Sequence, residues 1–249
     1  MPITRLSIEP SRRCAKACAF CYSHSTPRGE DGYTPGELVE FVQDAARNGV
    51  EAVSFGGGEP LEYPGLFEVL DRLRGVLGRT FTTNGLLLDE RFDEVVAAVP
   101  DKVHVSIHFP EVGDEVARVA RQVAALTKAG VPAGVNLLVD ARKLKAAREA
   151  CAFLETQGTG PHRMVFLPRR DRHTPTPREL AQVAGTGRFQ SMTCLLECGR
   201  SPRFASVAAD RTVAWCSYTT ERRPLAALTY KAMTDALSGL GVTFCGESP

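Results

Sequence analysis

The alternation of strand-like and helix-like segments is the feature that most constrains the fold of this chain. Short apolar runs predict six strands, at Leu6–Glu9, Glu51–Phe55, Thr80–Thr83, Lys102–His108, Ala133–Val139 and Arg163–Leu167. Each is followed by a segment of helical periodicity, at Pro35–Asn48, Gly65–Leu77, Asp89–Val99, Glu115–Ala129, Ala141–Thr156 and Pro177–Ala184. Repetition of this unit predicts an α/β fold in which helices cover a parallel sheet.

The number of strand–helix pairs narrows the architecture further. Six pairs are fewer than the eight of a closed (β/α)8 barrel. A partial barrel of the TIM type and a doubly wound open sheet are therefore the two candidates. Both place ligands at the carboxyl ends of the strands, so residues that follow strands are the first candidates for function.

The pattern changes after about residue 187. Four of the eight cysteines lie at or beyond Cys194, and residues 204–208 and 212–215 predict a β-hairpin that turns near Asp210 and Arg211. A helix is predicted over Leu225–Leu240. We therefore divide the chain into a core, residues 1–186, and a C-terminal extension, residues 187–249. The extension is too small to form a good hydrophobic core of its own, so a bound metal could stabilise its fold.

Composition limits the possible partners and compartment. The formal net charge is +1, with 30 basic and 29 acidic side chains, which gives no case for binding nucleic acid or an anionic membrane. The N-terminus has no apolar signal region, and no stretch approaches the roughly 18 apolar residues of a membrane span. We expect a cytoplasmic protein. In a reducing compartment, clustered thiols more often bind metal or do redox chemistry than form disulfides.

Three cysteines lie in the loop after the first predicted strand. Cys14, Cys18 and Cys21 are separated by three and then two residues. Three thiolates so close in sequence can hold three corners of an iron–sulfur cube, which normally takes four cysteines. One iron would then stay open for a reactant. A zinc site and unliganded thiols are the alternatives, although structural zinc prefers four ligands, commonly as two separated pairs.

A glycine run, Gly56-Gly57-Gly58-Glu59-Pro60, follows the second predicted strand. Glycines allow the backbone to pass close to a ligand and to adopt positive φ, and the Glu59 carboxylate offers a partner for an amine. A glycine run alone is usually only a tight turn. Together with the cysteine loop on the preceding strand, it indicates a ligand site.

These motifs resemble the radical S-adenosylmethionine (radical SAM) superfamily over roughly residues 4–170. The resemblance rests on the cysteine triad, on Phe20 before its third cysteine, and on Gly57-Gly58-Glu59-Pro60. It implies a partial (β/α)6 barrel with a [4Fe–4S] cluster whose fourth iron chelates S-adenosylmethionine. It also implies that Cys14, Cys18 and Cys21 hold the cluster, that Gly57, Gly58 and Glu59 hold the methionyl amine, and that Phe20 lies near the adenine.

Further cofactor contacts follow from the same resemblance at other strand ends. Asn84 belongs to a short polar motif after the third strand, Ser106 and His108 end the fourth, and Asn136 lies in the fifth. The resemblance implies that such residues contact the ribose or the methionyl carboxylate. The alternative for each is a polar strand-end residue that bonds only to backbone.

The cysteines of the extension resemble the start of the SPASM and Twitch auxiliary-cluster extensions of this superfamily. Cys198, the predicted hairpin and Cys216 carry this resemblance, but the later cysteine pairs of those extensions are missing. The resemblance implies a second [4Fe–4S] cluster, and the four thiols of Cys194, Cys198, Cys216 and Cys245 could fully ligate it. Structural zinc and unliganded buried thiols are the alternatives.

The resemblance implies a catalytic cycle. An external one-electron donor such as flavodoxin or ferredoxin reduces the cluster, S-adenosylmethionine is cleaved, and a 5′-deoxyadenosyl radical abstracts hydrogen from the substrate. We expect a small metabolite that is oxidised or rearranged in a biosynthetic pathway by a dehydrogenase-like oxidoreductase, and Arg169 is a candidate catalytic residue that would fix an anionic or hydroxylated substrate. The alternatives are radical crosslinking, oxidation or epimerisation of a ribosomal peptide, and a zinc-stabilised binding module without catalysis.

Overall fold

The computed structural model describes residues 3–112, 114–185, 194–195, 198–199 and 201–242. Within these residues, six parallel strands follow one another along the chain. They are β1 (Arg5–Ile8), β2 (Ala52–Phe55), β3 (Gly78–Thr83), β4 (Lys102–Ile107), β5 (Ala133–Val139) and β6 (Met164–Pro168). All six coincide with predicted strands to within a few residues.

Each of these strands is followed by a helix. The helices are α1 (Pro35–Arg47), α2 (Leu66–Arg72), α3 (Phe92–Ala98), α4 (Glu115–Lys128), α5 (Leu144–Thr156) and α6 (Pro177–Ala184). Helices α1 and α6 begin with a capping box, in which Thr34 pairs with Glu37 and Thr176 with Glu179, so that orphan amides of the first turn gain partners. Helix α2 is shorter than predicted because the chain turns at Gly75, whose φ is +74°.

The two faces of the sheet differ in chemistry. Ile8, Phe55 and Phe81 share one register and are completely buried under the helices. The burial of each side chain stabilises the folded state by about 1.5–3 kcal/mol. On the opposite face, Ser7 and Ser54 are register partners and line an interior space. The sheet therefore curves around a polar interior.

The strand order decides between the two predicted architectures. β1 to β6 lie side by side in chain order, without the reversal that marks a doubly wound sheet. The curve is not closed by hydrogen bonds, because β1 pairs on one side with β2 and on the other with a later strand. The predicted partial (β/α)6 barrel is confirmed.

The later strand is β7 (Phe204–Val207), which adds to β1 in parallel. It forms the predicted hairpin with β8 (Thr212–Ala214), and β9 (Arg223–Pro224) and helix α7 (Tyr230–Leu237) follow. Helix α7 is shorter than the predicted helix, since its cap is Thr229, whose side chain accepts the Ala232 amide. The hairpin extends the barrel sheet, and the domain boundary between residues 186 and 187 stays a prediction. No helix formed by the described residues is long and apolar enough to cross a lipid bilayer.

Candidate active site

The carboxyl ends of the strands and the cysteine loop enclose a cavity of about 710 Å³. Its lining includes every residue of the core that the sequence marked as a site candidate. These are Cys14, Cys18, Phe20, Cys21, Gly57, Gly58, Glu59, Asn84, Ser106, His108, Asn136 and Arg169. Segments that are far apart in sequence thus meet in one space, because parallel strands present their carboxyl ends at the same edge.

The cysteine loop is shaped by backbone hydrogen bonds. The Cys14 amide donates to the Thr26 carbonyl at 2.9 Å, and the Cys21 amide donates to the Cys18 carbonyl at 3.0 Å. Between the first two cysteines, Ala17 adopts the left-handed conformation with φ +46°, which is uncommon for a residue with a side chain. The loop therefore wraps tightly enough for all three cysteines to line the cavity.

The three thiols are unlinked, and two of them contact polar side chains. Asn84 Nδ2 lies 3.6 Å from Cys14 Sγ, and Ser23 Oγ lies 3.2 Å from Cys21 Sγ. Burial raises the pKa of the Cys18 thiol to about 11, so this sulfur ionises at neutral pH only with the help of a cation such as a metal.

The described donors of the cysteine loop are three unlinked thiols that line one cavity. Structural zinc prefers four ligands, whereas a four-iron cluster binds each thiolate on a different iron and can leave its fourth iron for a reactant. Three thiols therefore suit the cluster better than a structural zinc ion.

The glycine run is required by close backbone packing. A Cβ atom on Gly57, where φ is +85°, would lie 2.4 Å from Glu9 Cβ, and one on Gly58 would lie 2.4 Å from the Arg13 carbonyl oxygen. The Gly58 amide donates to the Ser11 carbonyl at 2.9 Å. The glycines therefore let this loop lie directly against the start of the cysteine loop, with backbone facing the cavity.

Glu59 is 2% exposed, and two backbone amides bind its carboxylate. Leu61 N donates to Oε1 at 3.1 Å and Asn84 N donates to Oε2 at 2.7 Å. Burial raises the pKa of this carboxyl to about 7. The Thr83 hydroxyl is a third donor to this carboxylate. The two oxygens together can accept about four hydrogen bonds, so a ligand amine can still bind there. The carboxylate also joins the β2 and β3 loops, a role that the sequence did not reveal.

His108 provides an unsatisfied polar atom at the cavity. Its Nδ1 is buried without a hydrogen-bond partner among the described residues. Burial, reinforced by the charges of Lys16 and Arg118, lowers the pKa of this histidine to about 3, so the ring is neutral. A buried unpaired nitrogen is costly. A ligand hydroxyl would satisfy it, and so would a ligand carboxylate if Nδ1 carries the proton of the neutral ring. This feature fits a bound nucleoside or amino acid.

Phe20 forms a flat wall between this cavity and a smaller one of about 430 Å³. Its ring centroid lies 5.5 Å from that of Phe109, and the Arg169 guanidinium carbon lies 5.1 Å from the Phe20 centroid. Aromatic and guanidinium planes are surfaces on which a purine stacks readily. Adenine binding near Phe20 stays a prediction.

Arg169 differs from the free cation that the sequence suggested. Its guanidinium bonds to Asp140 at 3.0 Å and to Asp171 at 2.6 Å. Sequence analysis had not paired these carboxylates with it, although both follow predicted strands. The charge of Arg169 is therefore compensated by carboxylates of the protein itself. This favours a structural role for its side chain in the cavity wall over the binding of an anionic substrate. A catalytic role of Arg169 stays a prediction.

The described cysteines of the extension lie outside the cavity lining. Cys194 Sγ accepts a bond from Arg170 Nη2 at 3.4 Å, and Cys216 Sγ accepts one from the Tyr218 amide at 3.4 Å. Burial raises the pKa of the Cys198 thiol, and the charges of the Cys194 and Cys216 thiolates raise it further. This electrostatic influence indicates that the three cysteines are neighbours. Cys245 lies outside the described residues.

An aromatic contact joins the two cysteine regions. Tyr22 directly follows Cys21, and its ring centroid lies 4.9 Å from that of Tyr218, which is two residues beyond Cys216. Both rings line the cavity. Sequence analysis missed this contact because it depends on how the extension packs against the barrel.

Comparison with known proteins decides the family. Residues 8–139, just over half of the 249 residues, match the profile of the Radical SAM superfamily. The chain belongs to the radical SAM superfamily. It is therefore a radical SAM enzyme, and its cofactors are a [4Fe–4S] cluster and S-adenosylmethionine. This membership sets aside the zinc-stabilised module without catalysis.

Relatives in sequence include the GTP 3′,8-cyclase of Aquifex aeolicus and the probable GTP 3′,8-cyclase of Thermococcus kodakarensis. The first is 34% identical over 118 residues, which cover 43% of this chain and 36% of that protein. The second is 33% identical over 115 residues, which cover 45% and 38%. The chain spans less than half of the length of these relatives, so their activity does not transfer with the match.

Solved radical SAM structures share the fold. The protein anSMEcpe with bound AdoMet and the Cp18Cys peptide has a TM-score of 0.68 at 17% identity, covering 95% of this chain and 83% of that one. SuiB from Streptococcus suis bound to the precursor peptide SuiA has a TM-score of 0.65 at 16% identity, covering 86% and 60%. At such identities the likeness concerns the fold alone.

Proposed function

We propose that this radical SAM enzyme acts on a small metabolite, which it oxidises or rearranges as a step of a biosynthetic pathway. When bound, the cluster and S-adenosylmethionine supply a 5′-deoxyadenosyl radical that abstracts hydrogen from a substrate C–H bond. The observation that carries the proposal is the shared cavity. Cysteine loop, glycine run and polar strand ends all line one space of about 710 Å³. Because this space would also hold the cluster and S-adenosylmethionine, the room that is left suits a small substrate.

The residues of this chain would bind the cofactors in two groups. Cys14, Cys18 and Cys21 would ligate the cluster, and the Gly57–Gly58 backbone with Glu59 would receive the methionyl amine. Asn84, Ser106, His108, Asn136 and Phe20 would orient the nucleoside and the carboxylate. This enclosure supports catalysis because it fixes the reacting atoms and excludes water from a radical that attacks misplaced groups.

The extension, residues 187–249, would hold an auxiliary cluster. Cys194, Cys198 and Cys216 are neighbours, and Cys245 would complete a set of four thiolates, as a fully ligated [4Fe–4S] cluster needs. Such a cluster suits electron transfer and could take the electron left on the substrate, which makes the net reaction an oxidation. A flavodoxin or ferredoxin would deliver the initiating electron.

The charges at the cavity bear on the identity of the substrate. The cyclase relatives take their name from GTP, and a triphosphate requires uncompensated cations. Here Arg12 pairs with Asp210 at 2.6 Å, and Arg169 pairs with Asp140 and Asp171. The pairing of Arg12 and Arg169 favours a substrate less charged than a triphosphate, and Arg222 in the same lining is a donor for a neutral oxygen. Both fold neighbours named above were solved with peptides, so a ribosomal peptide is the second candidate.

The experiment is anaerobic purification followed by labelled turnover. Two [4Fe–4S] clusters predict about eight irons per chain. Perdeuterated sugars and cyclitols, and deuterated peptides encoded beside the gene, are then incubated with dithionite and S-adenosylmethionine. Deuterium in 5′-deoxyadenosine from a sugar or cyclitol supports the proposal, and deuterium only from a peptide overturns it in favour of the second candidate.

The tail cysteines allow a separate control within the same chain. Cys216→Ala should preserve a measurable part of S-adenosylmethionine cleavage while it lowers the iron content and the conversion of substrate. If Cys216→Ala retained about eight irons per chain and full substrate conversion, Cys216 would be excluded as a ligand of the auxiliary cluster. About four irons in the parent enzyme would exclude the auxiliary cluster itself.

A further inference from the structure

One wall of the cavity contains none of the residues that we assign to the cofactors. Those residues lie in the cysteine loop and at the ends of β2 to β5. The adjoining side is formed by β1, β7 and the segment after β8, and we call it the β1–β7 wall. It consists of Ser7, Glu9, Ala208, Thr219 and Arg222. This part of the cavity is therefore left for the substrate.

A row of hydroxyl side chains crosses the floor beneath this wall. Ser206, Ser7, Ser54 and Thr80 share one register across β7, β1, β2 and β3. Ser7 and Ser54 line the cavity. Ser206 is completely buried, and its Oγ has no hydrogen-bond partner among the described residues. Thr80 Oγ1 donates to the Val53 carbonyl at 3.2 Å, so Ser7 and Ser54 are the members of this row that face the cavity. Bulky branched residues usually fill a barrel interior, and these two hydroxyls favour a polar ligand instead.

Glu9 is a buried carboxyl that faces the same space. It is 3% exposed, yet it lines the cavity. Within the described part of the chain, no basic side chain lies within 4.0 Å of its carboxylate. Burial raises its pKa to about 7, and the charges of Arg222 and Arg12, together with a hydrogen bond from the Ala209 amide, offset this only in part. An under-compensated carboxyl in a cleft is typical of a functional site.

The nearest cations have other partners. Arg12 pairs with Asp210 at 2.6 Å. Arg222 donates from Nε to Thr212 Oγ1 at 2.8 Å and from Nη2 to the Ser206 carbonyl at 3.2 Å. With Arg12 paired to Asp210, the wall keeps one cation, Arg222, whose charge acts on the buried Glu9 carboxyl. The wall offers a strong acceptor and a strong donor, which suits an uncharged ligand with hydroxyl groups.

We propose that Glu9, with Ser7, Ser54 and Arg222, binds the hydroxyl groups of an uncharged polyhydroxylated substrate at the β1–β7 wall. The inference rests on the proposed function, because it takes the other side of the cavity to be filled by cofactor. The Glu9 carboxylate accepts a bond from a substrate hydroxyl, Arg222 donates to a substrate oxygen, and the serine hydroxyls can do either. Glu9 thereby acts as a residue that determines specificity.

Binding is tested without turnover by saturation-transfer-difference NMR. The anaerobic holoenzyme is mixed with S-adenosylmethionine but no reductant, and myo-inositol, D-glucose and D-xylose are the probes, with a tetra-alanine peptide as comparison. At least one polyol should bind. Glu9→Gln keeps the size of the side chain and removes its charge, so it should weaken polyol binding about tenfold. Glu40→Gln, at an exposed position of α1, should leave it unchanged.

The outcomes separate this inference from the proposed function. The absence of polyol binding to the parent enzyme, or equal binding to Glu9→Gln, overturns the inference. Ser54→Ala should cause a smaller loss and serves as a second variant. Formation of 5′-deoxyadenosine after addition of dithionite is measured on the same samples. If 5′-deoxyadenosine is absent while polyols bind to the parent and bind more weakly to Glu9→Gln, the proposed function fails. The inference that the β1–β7 wall binds polyols is then still supported.

Discussion

Lys16 Nζ lies 2.6 Å from Glu115 Oε1, and this ion pair fastens the cysteine loop to the first turn of α4. The side chains are only 10% and 11% exposed. The same carboxylate oxygen accepts the His108 amide at 2.9 Å. One acidic residue thus fixes both the loop that carries the three thiols and the strand end that carries His108.

The first prediction concerns this pair. Glu115→Gln leaves the Lys16 ammonium buried without its counter-charge, and we expect the free energy of unfolding to fall by about 3 kcal/mol. The matched control is Asp235→Asn, which removes an ion pair of the same 2.6 Å length whose side chains are 84% and 63% exposed. Exposed pairs contribute little. Anaerobic denaturant titration checks both variants, and equal effects would contradict the buried role of Lys16.

The second prediction concerns the hydrogen bond between Ser23 and Cys21. The Ser23 hydroxyl lies 3.2 Å from Cys21 Sγ and 3.1 Å from the Gly57 carbonyl oxygen, so two acceptors compete for its one proton. A thiolate that ligates the cluster can only accept, and a hydroxyl that donates to it stabilises the more negative, reduced cluster. Ser23→Ala should therefore lower the reduction potential of the barrel cluster by roughly tens of millivolts.

The measurement for Ser23→Ala is a redox titration followed by electron paramagnetic resonance. Ser25→Ala is the control, because Ser25 bonds to the Ser23 hydroxyl at 2.7 Å and reaches the sulfur only through it. A smaller shift is expected there. An unchanged or higher potential in Ser23→Ala would show that this hydroxyl does not donate to the cluster ligand.

The third prediction concerns the ionisation of Glu9. Its folded pKa is about 7, against an ordinary value of 4.5. The stabilisation from its protonated form is therefore complete below about pH 4.5 and is lost as pH rises through about 7. Glu9→Gln does not undergo this loss. Its free energy of unfolding should therefore exceed that of the parent by an amount that grows between these pH values to about 3 kcal/mol. The groups that act on the carboxyl are Arg222, Arg12, Asp210, Tyr22 and the Ala209 amide.

This pH dependence is measured by thermal unfolding of the cofactor-free chain in matched buffers. The difference between Glu9→Gln and the parent should be near zero at acidic pH and should grow towards pH 8. Glu40→Gln should follow the parent throughout. A difference between Glu9→Gln and the parent that stays constant with pH would show that Glu9 titrates like an exposed carboxyl.

The barrel could be predicted from the sequence because its signals are local. Periodicity marks the strands, and Pro35 and Gly49 mark the limits of the first helix. The cysteine spacing and the glycine run are also local, and Gly57 and Gly58 sit where a Cβ would collide with Glu9 and Arg13.

Long-range packing limited the remaining predictions. The position of β7 beside β1 depends on the edge that the open barrel leaves unpaired. Arg169 appeared free because Asp140, which pairs with it, is 29 residues away in sequence. Glu9 directly follows β1, so the rule that ligands gather at strand ends could have found it, but its burial could not be inferred from the sequence.

The central claim is that Cys14, Cys18 and Cys21 hold the cluster that cleaves S-adenosylmethionine. The most direct measurement is the yield of 5′-deoxyadenosine from anaerobic protein with dithionite and S-adenosylmethionine. Each of Cys14→Ala, Cys18→Ala and Cys21→Ala should abolish the product, whereas Cys151→Ala, a buried core cysteine of α5, should retain it. Product from any of the three loop variants at the level of the parent enzyme would contradict the claim.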